Sequence, residues 1–128
     1  MQDYQVDELQ RRGFSCSQIM VIMTMGLMQI EDENLIRASR GLSLGMGIGH
    51  ACGIVTGAAC ALSLACGARG ISELFPEFYR WFDENYGNSS GGIKCLELLG
   101  GDMNERWRIC PEMIRESWYK LEYLLEKQ

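Results

Sequence analysis

Apolar residues recur at helical spacing through almost the whole chain, and no segment alternates apolar and polar positions over the length of a strand. The run from Cys16 to Met28 is nearly all apolar, which predicts a central helix. Its start is marked: Ser15 stands three residues before Gln18, the spacing of a capping box, and Phe14 and Ile19 are placed for a hydrophobic staple. Asp3 to Arg12 is more polar and predicts a short helix closed by Gly13. Glu31 to Arg40 predicts a third helix, with Asp32 as its cap and Leu35, Ile36 and Ser39 at helical spacing. Ser72 to Tyr86 reads as amphipathic, with Leu74, Phe78, Trp81 and Phe82 on one face and Pro76 in the first turn. Gly87 to Gly92 is a loop by composition, and Lys94 to Leu99 a short helix beginning beside Cys95 and ending at Gly100-Gly101. The last helix is expected to start with Cys110 as cap, Pro111 at the first helical position and Ile109 stapled to Ile114. Its apolar face is Ile114, Trp118, Leu121 and Leu125. These elements predict an all-α, single-domain bundle of about five to seven helices spanning the chain.

The stretch from Gly41 to Gly67 departs from that pattern. No Asp, Glu, Lys or Arg occurs between Arg40 and Arg69, and six glycines fall between Gly41 and Gly57. A glycine-rich loop is expected first, then a buried helix from about Gly53 to Cys66, ended by Gly67. Such glycines serve either a cradle for a ligand near Cys52 or close packing between helices. Length and small-residue spacing would also suit a membrane helix, but His50, two serines, a threonine and the glycine load argue against insertion. No Trp or Tyr anchor flanks the stretch closely.

At 128 residues and 47% hydrophobic, the chain has material for one core. A net charge of −5 without a basic block excludes nucleic acid as an expected partner. The polar Met1 to Arg12 segment has no apolar core of a secretory signal, so a cytoplasmic protein is expected. In that compartment six cysteines point to metal binding or thiol chemistry over structural disulfides. The apolar load of the Met-rich and Gly/Ala-rich helices is compatible with a homodimer.

Cys16, Cys95 and Cys110 each fall at or near an expected helix start, and Cys52 lies just before another. A helix N-terminus favours a thiolate, the form that binds metals and attacks disulfides, so lowered thiol pKa values are expected at these four. Cys60 and Cys66 lie inside a helix and read as small apolar residues. No C-x-x-C or C-x-x-C-H occurs, which excludes a thioredoxin-type dithiol, an ordinary zinc ribbon and covalent haem attachment. No strand precedes Gly45 and Gly47, so a dinucleotide fingerprint is not indicated. Met20, Met23, Met25 and Met28 occupy more than one helix face and read as core filling, not as copper ligands. His50, the one histidine, has a place near Cys52 as ligand or proton donor, or no catalytic duty at all. No paired carboxylates and no Ser/His/Asp set stand out.

Taken together, GFSCSQ at Gly13 to Gln18, LSLGMGIGHACGIVTG ending at Gly57, KCLELLGG at Lys94 to Gly101 and the late Cys110 resemble the C_GCAxxG_C_C family of small helical redox-active proteins. The family's central Cys-Gly-Ala-x-x-Gly appears as Cys52-Gly53-Ile54-Val55-Thr56-Gly57, with Ile54 in place of the alanine. The resemblance covers almost the whole chain and implies a redox role for Cys16, Cys52, Cys95 and Cys110. It implies that they act as metal or iron–sulfur ligands or as redox-active thiols, with an unidentified redox partner. Four cysteine thiolates suffice for an iron–sulfur cluster, and Gly53 and Gly57 would give the cofactor room and backbone N–H groups. Electron transfer through such a cluster is the leading expectation. Thiol–disulfide exchange without a metal is the alternative, and a structural zinc site needs the same four ligands.

Overall fold

The computed structural model describes residues 2–88 and 92–127. Seven α-helices occur among them, with no strand beyond a single antiparallel bridge between Ala51 and Lys94. They are α1 (Gln2–Arg11), α2 (Cys16–Met28), α3 (Glu33–Ser39), α4 (Gly53–Cys66), α5 (Phe75–Phe82), α6 (Cys95–Leu98) and α7 (Arg106–Glu126). The expected loop from Gly87 to Gly92 includes Ser89, Ser90 and Gly91, which lie outside the described residues.

The centre is the pair α2 and α4, whose mutual contact is the most extensive between any two elements. Ser15 caps α2 as its sequence spacing foretells, both arms of the capping box being formed. At the other end Gln29 takes a left-handed conformation and its N–H closes onto Gly26 and Met25. Ile19, Met20 and Met23 of α2 meet Ile54, Val55, Ala58, Ala61 and Leu62 of α4 in one core. Around it pack Val6 and Leu9 of α1, Phe78 and Phe82 of α5, and Met113, Ile114, Trp118, Leu121 and Leu124 of α7. Helix α3 is tied to α2 by buried side chains: Ser17 Oγ donates to the Ser39 carbonyl at 2.8 Å and Gln18 Nε2 to the Ile36 carbonyl at 3.0 Å. No helix of the described residues is long and apolar enough to cross a membrane.

Two expectations about helix boundaries need correction. The segment expected as a helix from Ser72 to Tyr86 is helical from Gly70 to Gly87, with wide turns at Gly70–Leu74 and Asp83–Gly87 flanking α5. In the first of these Phe75 N–H reaches back five residues to the Gly70 carbonyl. Pro76, which has no N–H, follows directly on that widened turn. Secondly, Cys110 is not the cap of the last helix. Asp102 accepts from Asn104 N–H and starts a tight turn, Met103–Glu105, that runs straight into α7 at Arg106. Cys110 and Pro111 are therefore interior, and the Ile109–Ile114 staple has no helix start to serve. Pro111 removes the N–H that would reach the Trp107 carbonyl, so that bond is missing from the ladder of α7.

Candidate functional site

Four chain segments bring cysteines to one end of the α2–α4 pair. Cys16 is the first residue of α2, and Cys52 is the residue that caps α4. Cys95, the first residue of α6, is held beside Cys52 by the Ala51–Lys94 bridge: Cys52 N–H donates to the Ile93 carbonyl at 2.9 Å, and Cys95 N–H to the His50 carbonyl. Side chains alternate about such a bridge, so Cys52 and Cys95 leave it on the same side. Cys110 arrives from the second turn of α7.

Glycine makes the closest approach possible. A Cβ on Gly53 would lie 2.5 Å from Cys16 Sγ, and one on Gly57 would lie 2.9 Å from the Cα and the carbonyl oxygen of Ser17. The Cys52-Gly53-x-x-x-Gly57 spacing thus lays one face of α4 directly on the first turn of α2. Gly53 touches the Cys16 sulfur, while Gly57 is a contact between helix backbones.

The four thiols influence one another. Cys16 is pushed up to about 12, first by burial and then by Cys110 and Cys95; the N–H groups of Ser17 and Leu44, donating to its sulfur, oppose this. Cys52 is raised well above the usual thiol range by burial, then by Cys16, with smaller effects of Cys110 and Cys95; the Ile54 N–H opposes. Burial raises Cys110 to about 11 with help from Cys95, and burial also raises Cys95; the Arg106 guanidinium opposes both shifts. Every one of the six pairings within the quartet is therefore within electrostatic reach. The expectation of lowered thiol pKa values is overturned at all four, because desolvation outweighs the helix termini and, at Cys95 and Cys110, the Arg106 guanidinium. Cys60 and Cys66 stand apart on α4, roughly 12 and 20 Å along the helix axis from Cys52 at the usual rise per residue.

The glycine-rich loop covers this end in an unusual conformation. Leu44, Gly45, Met46 and Gly47 all have positive φ (54°, 62°, 61° and 76°), one turn of left-handed helix. Two of these residues carry side chains that disfavour that region, by on the order of 1–2 kcal/mol each. The turn closes with His50 N–H on the Gly45 carbonyl, and it is the turn's first N–H, from Leu44, that reaches Cys16. His50 is exposed. Beside the loop, and lined in part by its Ser43 and Leu44, a cleft of about 290 Å³ opens onto Cys16 and Cys110.

Thiolate sulfur and backbone N–H donors are the right chemistry for a thiophilic metal or cluster. Their placement is not: among the described residues no three His, Cys, Asp or Glu side chains are arranged to hold a metal ion. The quartet as positioned is a set of neutral, mutually coupled thiols, all six cysteines being free.

A family model, described as "Putative redox-active protein (C_GCAxxG_C_C)", matches residues 14–124, from the start of the α2 capping region nearly to the end of α7. No curated protein and no solved structure matches the chain.

Proposed function

Since the chain belongs to the C_GCAxxG_C_C family, we propose that it is a thiol redox protein whose Cys16, Cys52, Cys95 and Cys110 take up and release electron pairs as thiols and disulfides. The convergence of these four out of six cysteines, from four separate elements onto one end of the α2–α4 pair, is the observation that carries this reading. Oxidising two thiols to a disulfide releases two electrons and two protons to a redox partner. Burial keeps the resting thiols protonated and so slow to react at neutral pH, because the thiolate is the attacking form. The N–H groups aimed at Cys16 and Cys52, and Arg106 beside Cys95 and Cys110, favour the thiolate when one forms.

The same N–H donors favour a second reading, in which the quartet binds an iron–sulfur cluster or, without redox chemistry, a structural zinc. Holding either requires the side chains to rearrange into a coordination set, so no step is derived through such a group.

Anaerobic purification decides between them. Thiol cycling expects colourless protein, free of iron and zinc, that loses thiols in pairs on mild oxidation and regains them with a reductant. Iron and acid-labile sulfide in stoichiometric amounts, with visible absorbance, would replace it by the cluster reading. Stoichiometric zinc bound to non-oxidisable thiols would replace it by the structural one.

A further inference from the structure

We propose that the cleft in front of Cys16 and Cys110 binds a small carboxylate-bearing disulfide and presents it to those two thiols, a reaction that presupposes the thiol cycling proposed above. Phe14, Cys16, Arg40, Arg106, Trp107 and Cys110 are among the residues that line this cleft. Its volume of about 290 Å³ admits a small molecule and not a folded partner. Acidic residues outnumber basic ones 17 to 12 in the chain, yet no Asp or Glu lines this cleft among the described residues. Two other surface clefts each include a glutamate, Glu8 in one and Glu33 in the other, and neither contains a cysteine.

The two cations are available to a ligand. Neither Arg40 nor Arg106 has a carboxylate partner among the described residues. Arg106 is also held in position: one Nη donates to the Met103 carbonyl at 2.8 Å, and its guanidinium lies 4.7 Å from the centre of the Trp107 ring. An arginine fork matches a carboxylate, and the aromatic walls suit the methylene and thioether parts of a small disulfide. The paired thiols supply the reaction.

The chemistry balances with the ligand as oxidant. The Cys110 thiolate attacks one sulfur of the disulfide RSSR; the S–S bond breaks, a Cys110–S–S–R bond forms, and the first RS⁻ leaves with the proton shed by Cys110. Cys16 then attacks the Cys110 sulfur, and the second RS⁻ leaves with the proton from Cys16. Two protein thiols are oxidised to a Cys16–Cys110 disulfide, and RSSR is reduced to two RSH.

The test uses the full chain, reduced and freed of reductant under nitrogen, and three probes: glutathione disulfide (carboxylates), hydroxyethyl disulfide (neutral) and cystamine (cationic). Thiol loss is followed by quenched alkylation and mass spectrometry, each rate normalised to that of the probe with a free thiol. Glutathione disulfide is expected to react about tenfold or more faster than cystamine at low salt, with the preference collapsing at ~0.5 M salt. Peptide mapping is expected to find a Cys16–Cys110 disulfide. Arg40→Gln should lower the glutathione disulfide rate several-fold without slowing hydroxyethyl disulfide; Arg106→Gln, which also removes the cation beside Cys110, should slow both but glutathione disulfide by several-fold more, and Arg106→Lys should restore much of each rate. Should Arg106→Gln fail to fold, Arg40→Gln and Arg106→Lys carry the comparison. Equal normalised rates for the three probes, or an Arg40→Gln variant that slows all three alike, would overturn the proposal. Diamide separates the two failures. Oxidation of the quartet by diamide without preference among the disulfides removes the cleft's role and keeps thiol cycling; refusal to oxidise even with diamide removes both.

Discussion

A thiol at the first residue of a helix gains on the order of 0.3–1 kcal/mol from the helix dipole when it ionises, yet Cys16 is pushed up to about 12. Burial beside three other sulfurs wins, and the sign has a consequence for stability. A thiol whose folded pKa lies above its unfolded value, about 9, stabilises the reduced fold below that pH; the contribution is lost as pH climbs from about 9 through the folded value. The denaturant midpoint of the reduced protein should therefore hold up to about pH 8.5 and fall progressively above pH ~9, and Cys16→Ala should flatten that fall. Parallel pH profiles for the two proteins would contradict it. Sorting of the cysteines makes a second test. Cys60→Ala should cost only packing, on the order of 1 kcal/mol, and leave the oxidisable thiol pairs intact. Paired thiol loss that vanishes in Cys60→Ala, and persists in Cys95→Ala, would move the site elsewhere. Ser117 supplies a control away from the site. Its buried hydroxyl has no hydrogen-bond partner among the described residues, so Ser117→Ala should be neutral or stabilise by up to about 1 kcal/mol in chemical denaturation.

At the scale of elements, the contact between α2 and α4 is the most exacting feature. Gly57→Ala would set a methyl against the Ser17 backbone, which cannot swing aside as a side chain can, and should destabilise the protein by about 1–3 kcal/mol. A loss below a few tenths of a kcal/mol in urea unfolding would mean that the helices separate easily. Both helices were readable from the chain, because Ser15/Gln18 mark the start of α2, and Gly67, with φ of 63°, the end of α4. Cys16, Cys52 and Cys95 were likewise legible as residues at helix starts. Cys110 joined them in the sequence for the wrong physical reason: Pro111 looked like a first helical residue, whereas Asp102 gives the true start signal and Pro111 is absorbed inside α7. The left-handed turn at Leu44–Gly47 had no signal to read. Leu and Met have no preference for positive φ, and only the contacts of the folded loop hold them there. Nor could pattern alone foresee that desolvation would reverse the direction of the thiol pKa shifts.

For the whole molecule, the quartet amounts to a set of possible staples. Any disulfide formed within it closes a loop of roughly 15 to 95 residues, and such closures stabilise by about 3–5 kcal/mol when unstrained. The oxidised protein should therefore melt several degrees above the reduced one, in scanning calorimetry on a Cys60→Ala/Cys66→Ala background; identical melting temperatures would mean that oxidation strains the fold as much as it tethers it. The same dispersal of cysteines along the chain bears on biogenesis. Cys16, Cys52, Cys60 and Cys66 are synthesised well before Cys95 and Cys110, and the α1–α7 and α2–α7 contacts span most of the sequence. Contacts of such separation form late in folding. During synthesis the early thiols thus meet the surrounding medium without their proper neighbours, and six cysteines admit 15 complete pairings. Docking of α7 ends that exposure, so this helix, made after the other six, acts as the gatekeeper that selects one set of thiol neighbours from many wrong crosslinks.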